Sequence, residues 1–287
     1  MQQKEYQSMK IDEDMLRRAR KQFCLDACLD WQQYLEHPKQ KVYIQKTKYA
    51  EDGSYSAGEG ARRYAGTDSF FKAIMCMGQL FLTVDEQIYD WAVEQFAHCA
   101  PEWFCEYDNL RKIDEKLREY GRRISDTHIY YLPAAQASRT PLPDEKPLKE
   151  SFPGDFVWYE QEEILQFKEG NRFTSAICFS TTQPDVLAVA AMQPAAAKPF
   201  QQEHMAGMAG ASEDGAYLWQ IGINVVPEYA GRGLAAELVR QIKEEIIRRG
   251  KVPFYGTSES HTISQTVALK AGFVPAWTEI YVKGIEK

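Results

Sequence analysis

The sequence predicts an α/β protein built in two parts, and three observations carry that prediction. The stretch from Tyr217 to Gly250 joins an apolar strand, a Gly-x-Gly turn and a long amphipathic helix. A further strand and helix follow over 252–273. Upstream, residues 73–133 alternate in the same way. Strands and helices that alternate along a chain bury their apolar sides against each other as layers.

From Glu13 to Leu35, apolar residues including Trp31 recur among charges at helical spacing, which predicts one long amphipathic helix. KVYIQK (41–46) reads as a strand. The stretch 51–66 is rich in Gly and polar residues and reads as a loop. Its Gly58-Glu59-Gly60 opens no apolar helix, so it does not read as a phosphate loop. Then come AIMCMGQLFLTV (73–84) as strand, 85–98 as helix, EWFCEY (102–107) as strand, 108–121 as helix and ISDTHIYYLP (124–133) as strand. Five prolines between Pro133 and Pro153 predict an extended linker. The division is thus 1–135 as an N-terminal α/β domain, 136–154 as linker and 155–287 as C-terminal domain. In that domain FVWYE (156–160) is a strand, QEEILQFKEG (161–170) a helix, and RFTSAICFST (172–181) and DVLAVAAMQP (185–194) are strands. Ala195 to Gly215 reads as a long loop, expected to be either a lid on the substrate side or simply mobile.

Leu218, Ile221, Ile223, Val225 and Val226 form the apolar strand that Pro227 ends, since proline donates nothing to a ladder. After Gly231-Arg232-Gly233, the residues Leu234, Leu238, Val239, Ile242, Ile246 and Ile247 recur at helical period up to Gly250. A Gly-x-Gly turn opening a helix leaves backbone N–H groups able to receive an anion. A plain tight turn has the same residues, so the turn alone does not decide.

The order strand, Pro227-Glu228-Tyr229-Ala230-Gly231-Arg232-Gly233-Leu234-Ala235, helix resembles the acetyl-CoA-binding segment of the GNAT N-acetyltransferase superfamily. VPFYGTS (252–258), His261 to Ser264 and a helix ending in Gly272-Phe273 are similar to that family's second half-motif. The resemblance is strong over about 215–284 and extends from about 155. It implies the GNAT acyl-CoA N-acyltransferase fold, with a mixed sheet whose two central strands splay and acetyl-CoA (coenzyme A) in the gap. By the same resemblance, the backbone of Ile223, Asn224, Val225 and Val226 would take the pantetheine arm. Ala230, Gly231, Arg232, Gly233, Leu234 and Ala235 would hold the pyrophosphate, with His261 and Ser264 beside the arm. A sizeable α/β domain before the GNAT unit also resembles, loosely, the zwittermicin-resistance type. The N-terminal half repeats the order of the C-terminal core, with Gly121 matching Gly272. It is therefore expected to be either a degenerate GNAT-like unit or an unrelated α/β domain. In the first case Asp85 and Glu86 stand where the glycine turn would be and compete with an anion. A splayed strand pair within 70–133 would mark the first case.

The formal charge of −7 argues against nucleic acid as the main partner and suits an amine-bearing small molecule. No apolar window is long enough to span a bilayer, and the first residues lack a signal core, so a cytoplasmic monomer or homodimer is expected. The six cysteines show no metal spacing, and no metal is expected.

Acetyl transfer to an amine needs the neutral nitrogen, so an ammonium must first lose a proton. For an amine of pKa about 10.4 that costs about 4.6 kcal/mol at pH 7. Base candidates are Glu213, Asp214, Glu259 and His261. Gln220 stands where relatives carry an acidic residue and can only orient water. Relatives also place a Tyr five residues before the Phe of the Gly-Phe motif to protonate the leaving thiolate. Here that position is Ala268, and Ser264 or Tyr281 are the substitutes. Glu228 reads as structural. The expectation is an acetyl-CoA-dependent N-acetyltransferase for a small amine; the alternative is a non-catalytic acyl-CoA-binding sensor or partner-binding protein.

Overall fold

The computed structural model describes residues 10–51, 58–62, 69–135, 152, 154–165, 185–193 and 204–285. In chain order the helices are α1 (Glu13–Asp26), α2 (Trp31–Glu36), α3 (Tyr89–Phe96), α4 (Tyr107–Arg118), α5 (Gln161–Ile164), α6 (Leu234–Arg248) and α7 (Thr262–Lys270). The strands are β1 (Val42–Lys46), β2 (Phe71–Cys76), β3 (Gln79–Val84), β4 (Arg122–Pro133) and β5 (Phe156–Glu160). They continue with β6 (Asp185–Met192), β7 (Met205–Glu213), β8 (Leu218–Val225), β9 (Val252–Thr257) and β10 (Phe273–Gly284).

Among the described residues these strands make one mixed sheet in the order β1-β3-β2-β10-β4-β9-β8-β7-β6-β5. β1 with β3 and β8 with β9 pair in parallel; the other neighbours are antiparallel. The expected boundary at 136–154 does not separate two sheets. β10 lies between β2 and β4 of the N-terminal half, and β4 lies between β10 and β9 of the C-terminal half. Strand partners so far apart in sequence leave no local signature, which is why the halves read as independent.

Side-chain alternation gives the sheet two covered faces. On one, Met15, Ala19 and Phe23 of α1 pack on Leu132, Leu218, Val252, Phe254 and Trp277. On the other, Leu238, Val239, Ile242 and Ile246 of α6 pack on Val189, Ala209, Ile221 and Tyr255. The amphipathic stripe of α6 is the one its sequence period predicts. Below the N-terminal end of the sheet, Ala92, Phe96, Ile113 and Leu117 of α3 and α4 cover Leu80, Leu82, Ile280 and Val282.

Several expectations are corrected. The helix expected from Glu13 to Leu35 is broken: Cys28 takes φ 55°, and Asp30 caps α2 by accepting from the backbone N–H groups of Gln32 and Gln33. The strand expected over 73–84 is a hairpin, because Met77 and Gly78 both take positive φ, as a two-residue turn with the twist of its strands requires. Residues 102–107 are not a strand. Pro101–Trp103 form a 3-10 turn leading into α4. The helix expected over 85–98 is a 3-10 turn, Glu86–Ile88, followed by α3. Within 70–133 there is no splayed parallel pair: β2 and β3 form the hairpin, and β10 separates β2 from β4. The N-terminal half does not repeat the C-terminal core in that form.

The loop expected over 195–215 is corrected where it is described, from 204 onwards, while 195–203 lie outside the described residues. Met205–Glu213 is β7, buried up to its last residue. Its small residues are there for close approach: a Cβ on Gly207 would meet Val225 at 2.9 Å and Leu238 at 3.1 Å. A strand buried on both faces loses the alternation that identifies a half-exposed one, so this stretch read as a loop. The helix expected over 161–170 is described only as α5 and Leu165, and the strand expected over 172–181 lies outside the described residues. No described helix is long and apolar enough to cross a membrane.

Candidate active site

β8 and β9 pair from Leu218 with Val252 to Ile221 with Tyr255, and there the ladder ends. Beyond it β8 stays with β7 as far as Val225, while β9 follows β4, pairing Gly256 with Tyr130 and Thr257 with Ile129. Two parallel strands held by different neighbours must part, and the wedge between them is the splay expected from the sequence.

The wide end of the wedge meets the start of α6. After the 3-10 turn Pro227–Tyr229, Gly231 and Gly233 take φ 75° and 83°, backbone that side chains disfavour. Gly233 is the N-cap of α6 and supplies no side-chain cap, so the first-turn N–H groups of a fifteen-residue helix face outward. Such an end favours an anion by up to about 2 kcal/mol when partly buried.

Wedge and helix end belong to one cleft of about 1260 Å³. Of the residues expected to hold cofactor, Ile223, Asn224, Val225, Ala230, Gly231, Gly233, Leu234, Ala235, His261 and Ser264 line it. Val226 and Arg232 do not. They line an adjoining pocket of about 370 Å³ with Glu228 and Tyr229, and the Arg232 guanidinium lies 5.3 Å from the centre of the Tyr229 ring.

Among the catalytic candidates, Gln220 and Tyr281 also line the cleft. Glu259 is outside its lining; its carboxylate accepts from the Thr127 hydroxyl at 2.6 Å. Glu213 pairs with Lys251 at 2.6 Å, and Asp214 is buried away from the cleft. Burial pushes the Asp214 carboxyl up to about 7, against the pull of the Ser212 hydroxyl that donates to it. Ala268 is fully buried in the core under α6 and presents nothing to the cleft. Ser264 is one half of a hydroxyl pair, 2.8 Å from the Tyr255 hydroxyl, and burial raises the Tyr255 pKa.

The residues that sequence reasoning missed include several from the N-terminal half, together with Tyr255, Trp277 and Glu279. Ser125, Asp126, His128 and Tyr130 of β4 form a wall of the cleft. The Tyr130 ring crosses β9 at Gly256, where a Cβ would stand 2.5 Å from its Cε1 atom, and stacks on Trp277 at 4.9 Å. Its hydroxyl is hydrogen-bonded to that of Tyr281. Tyr281 in turn donates to Glu279 Oε2 at 3.1 Å, and Glu279 Oε1 accepts from Trp277 at 2.7 Å and from Arg62 at 2.6 Å. Arg62 also pairs with Asp26 at 2.6 Å, and all three charged side chains are essentially without exposure. Burial alone would raise the Asp26 pKa, but the Arg62 and Lys72 charges bring it below the usual carboxylate value. The Tyr130 pKa is raised well above the ordinary phenol, by burial and then by the negative charge of Glu279. The alternation of His128 and Tyr130 was visible in sequence; the adjacency of β4 and β9 was not.

Residues 203–282, which hold the splay, the glycine turn and α7, match the family described as FR47-like protein. No curated protein matches the chain. Among solved structures, the chain is similar to a GCN5-related N-acetyltransferase-like protein from Streptococcus suis, at 13% identity over 93% of this chain and 98% of that one, with TM-score 0.41. It is also similar to a GCN5-related N-acetyltransferase from Sphaerobacter thermophilus, at 13% identity, 84% and 80% coverage and TM-score 0.38. A GNAT-family protein from Novosphingobium aromaticivorans is 19% identical over 57% of this chain and 68% of its own, with TM-score 0.37. The match over 203–282, the splayed strands and the uncapped helix end agree with the mixed α/β fold expected for this half of the chain.

Proposed function

We propose that the protein is an acetyl-CoA-dependent N-acetyltransferase acting on a small amine, by direct attack of the amine within a ternary complex. The observation that carries the reading is the continuity of wedge and helix end. One cleft offers a strand edge suited to an extended amide-bearing arm and, beside it, an uncapped helix N-terminus suited to a pyrophosphate. The residues fit the cofactor on that ground: Ile223 and Val225 would hold the arm, and Gly231 to Ala235 the phosphates. The bound thioester would supply an activated acetyl group.

The remaining work falls to the chain. Gln220, Tyr130 and Tyr281 stand on the side of the sheet that faces α1, and the Tyr255 and Ser264 hydroxyls on the side of α6 and α7. The first group is placed to orient and deprotonate an amine, and the second to give a proton to a leaving thiolate. Two carriers at opposite sides of the wedge suit a reaction that takes a proton from one partner and returns one to the other. Gln220 and Ala268, standing where carboxylate and Tyr are usual, favour the second reading of a non-catalytic acyl-CoA-binding protein.

Calorimetric titration with acetyl-CoA, on the wild type and on Ala230→Glu, tests the cofactor site. Ala230 has φ −63°, so a side chain is added there without backbone strain, and its carboxylate would oppose the pyrophosphate. Binding to the first and loss in the second supports the reading; equal binding, or none to the wild type, overturns it. Thiol release with a panel of amines then separates the two readings, since a sensor binds acetyl-CoA and releases no thiol.

A further inference from the structure

The acceptor side of the cleft has a floor that the GNAT resemblance did not anticipate, and it has a direction. Glu279 Oε1 is taken by Arg62 and Trp277, both of which can only donate. Its other oxygen, Oε2, accepts the Tyr281 hydroxyl proton. With that proton committed, the hydrogen bond between the two tyrosine hydroxyls is donated by Tyr130 to the Tyr281 oxygen. The Tyr130 oxygen is then the accepting end of the series, and Tyr130 lines the cleft. It sits at the root of the wedge, since its strand partner Gly256 directly follows the last β9 residue paired with β8.

The far end of the series is the buried Glu279 carboxylate. Arg62 lies between two buried carboxylates, Asp26 and Glu279, and Lys72 stands on the Asp26 side. Among the described residues, other charged or titratable groups around Glu279 include Lys72, 3.9 Å from Asp26, His128, directly across the ladder on β4, and the two tyrosines. Asp214 lies within electrostatic reach of Tyr130.

Resting on the acetyltransferase reading, we propose that Tyr130, Tyr281 and Glu279 form a proton outlet that lets the enzyme use acceptors that arrive as alkylammonium ions. The ammonium N–H bond breaks as its proton passes to the Tyr130 oxygen. The Tyr130 proton passes to Tyr281 and the Tyr281 proton to Glu279 Oε2, leaving both phenols intact and one proton on the carboxylate. The freed nitrogen lone pair forms the bond to the acetyl carbon, the carbon–sulfur bond breaks, and the nitrogen's second surplus proton ends on the sulfur. Tyr130 and Tyr281 touch the acceptor in this scheme, and Glu279 is a positioning and proton-holding residue behind them. The aromatic walls suit a cation: His128 stands edge-on to Tyr281 at 5.4 Å, and Tyr130 lies against Trp277.

The test compares primary alkylamines with their β-trifluoro counterparts, which have nearly the same shape but are mostly neutral at pH 7. Wild type, Glu279→Gln and Tyr281→Phe are assayed for thiol release from acetyl-CoA, after titration shows that each binds acetyl-CoA equally. Tyr281→Phe cuts the series while leaving the Arg62 pairs whole, so it holds if Glu279→Gln fails to fold. The expected result is a loss of kcat/KM of about a hundredfold or more with alkylamines. The trifluoro amines should lose less than about threefold, and the alkylamine rate of each variant should recover as pH is raised. Equal losses on both amine classes would show a structural role only and overturn the proposal, as would unchanged alkylamine rates. A wild type that binds acetyl-CoA but acetylates no alkylamine also overturns it while leaving the cofactor site standing. Failure to bind acetyl-CoA removes both.

Discussion

Replacing Arg62 by Met removes the one cation between Asp26 and Glu279 and keeps most of the side-chain volume. The guanidinium carbon lies 5.5 to 5.8 Å from the ring centres of Phe23, Trp277 and Phe254, so a thioether has apolar neighbours and little cavity should form. What remains is charge. Two fully buried carboxylates lose their shared partner, and breaking a buried pair in this way costs about 3–5 kcal/mol. The pH dependence follows from the direction of the shifts. In the wild type the Asp26 pKa is lowered, so its contribution is present above the unfolded value of about 3.9 and is lost only as pH falls below that. In the variant, burial of Asp26 is opposed by Lys72 alone, so its pKa rises from the wild-type position and the penalty is full at high pH and shrinks as that carboxyl takes up a proton. Urea unfolding of both proteins at pH 8 and pH 5 should therefore show a gap of about 3–5 kcal/mol at pH 8 and a clearly smaller one at pH 5. A gap below about 1 kcal/mol at pH 8, or one of equal size at both pH values, would refute the reasoning.

Three further outcomes are expected. Asp214, raised from 3.8 to about 7 by burial, binds its proton more tightly folded than unfolded, so wild-type stability should fall by about 4 kcal/mol between pH 4 and 7 and level off above. Asp214→Asn should flatten that fall, as thermal melts at pH 5 and pH 8 would show; an unchanged fall would assign it to other groups. Gly256→Ala should push the Tyr130 ring off its place, costing about 1–3 kcal/mol and most of the alkylamine turnover, and a melt as high as wild type would disprove the contact. Tyr255→Phe should slow thiol release while leaving acetyl-CoA affinity within about threefold, since it removes one hydroxyl of the Tyr255 and Ser264 pair; unchanged release rates would take that pair out of the chemistry.

The helix end was legible because it is written locally, and the wedge was expected from the family resemblance that the same stretch carries. A proline, two glycines and an apolar stripe at helical period specify how one short stretch of backbone must run, whatever surrounds it. The hairpin at Met77 and Gly78 was equally local but lay inside an apolar run, where a single glycine is easily passed over. β7 was misread for a different reason: a strand with neighbours on both edges and layers on both faces needs small residues, and small residues also make loops. The acceptor floor was out of reach. Tyr130 and Glu279 are separated by most of the chain, and Arg62 is bonded to a residue 217 positions away. Their meeting depends on β4 and β10 being neighbours, which no periodicity records. Tyr281 could be named as a candidate, but its partners could not.

The interleaving of β4 and β10 also sets an order of events for the molecule as it is made. When a ribosome has produced everything up to Thr257, β2 and β4 stand on either side of a vacant lane, and β4 already leans on β9. Only after residue 284 emerges can that lane be filled and the edges of two half-sheets disappear. Until then the nascent chain presents unpaired strand edges of the kind that pair with other chains. Another copy's β10 would fit the same lane. Closure of the sheet therefore waits for β10 and must outrun exchange between copies, and the acceptor floor, which needs both β4 and β10, comes into being only at that moment.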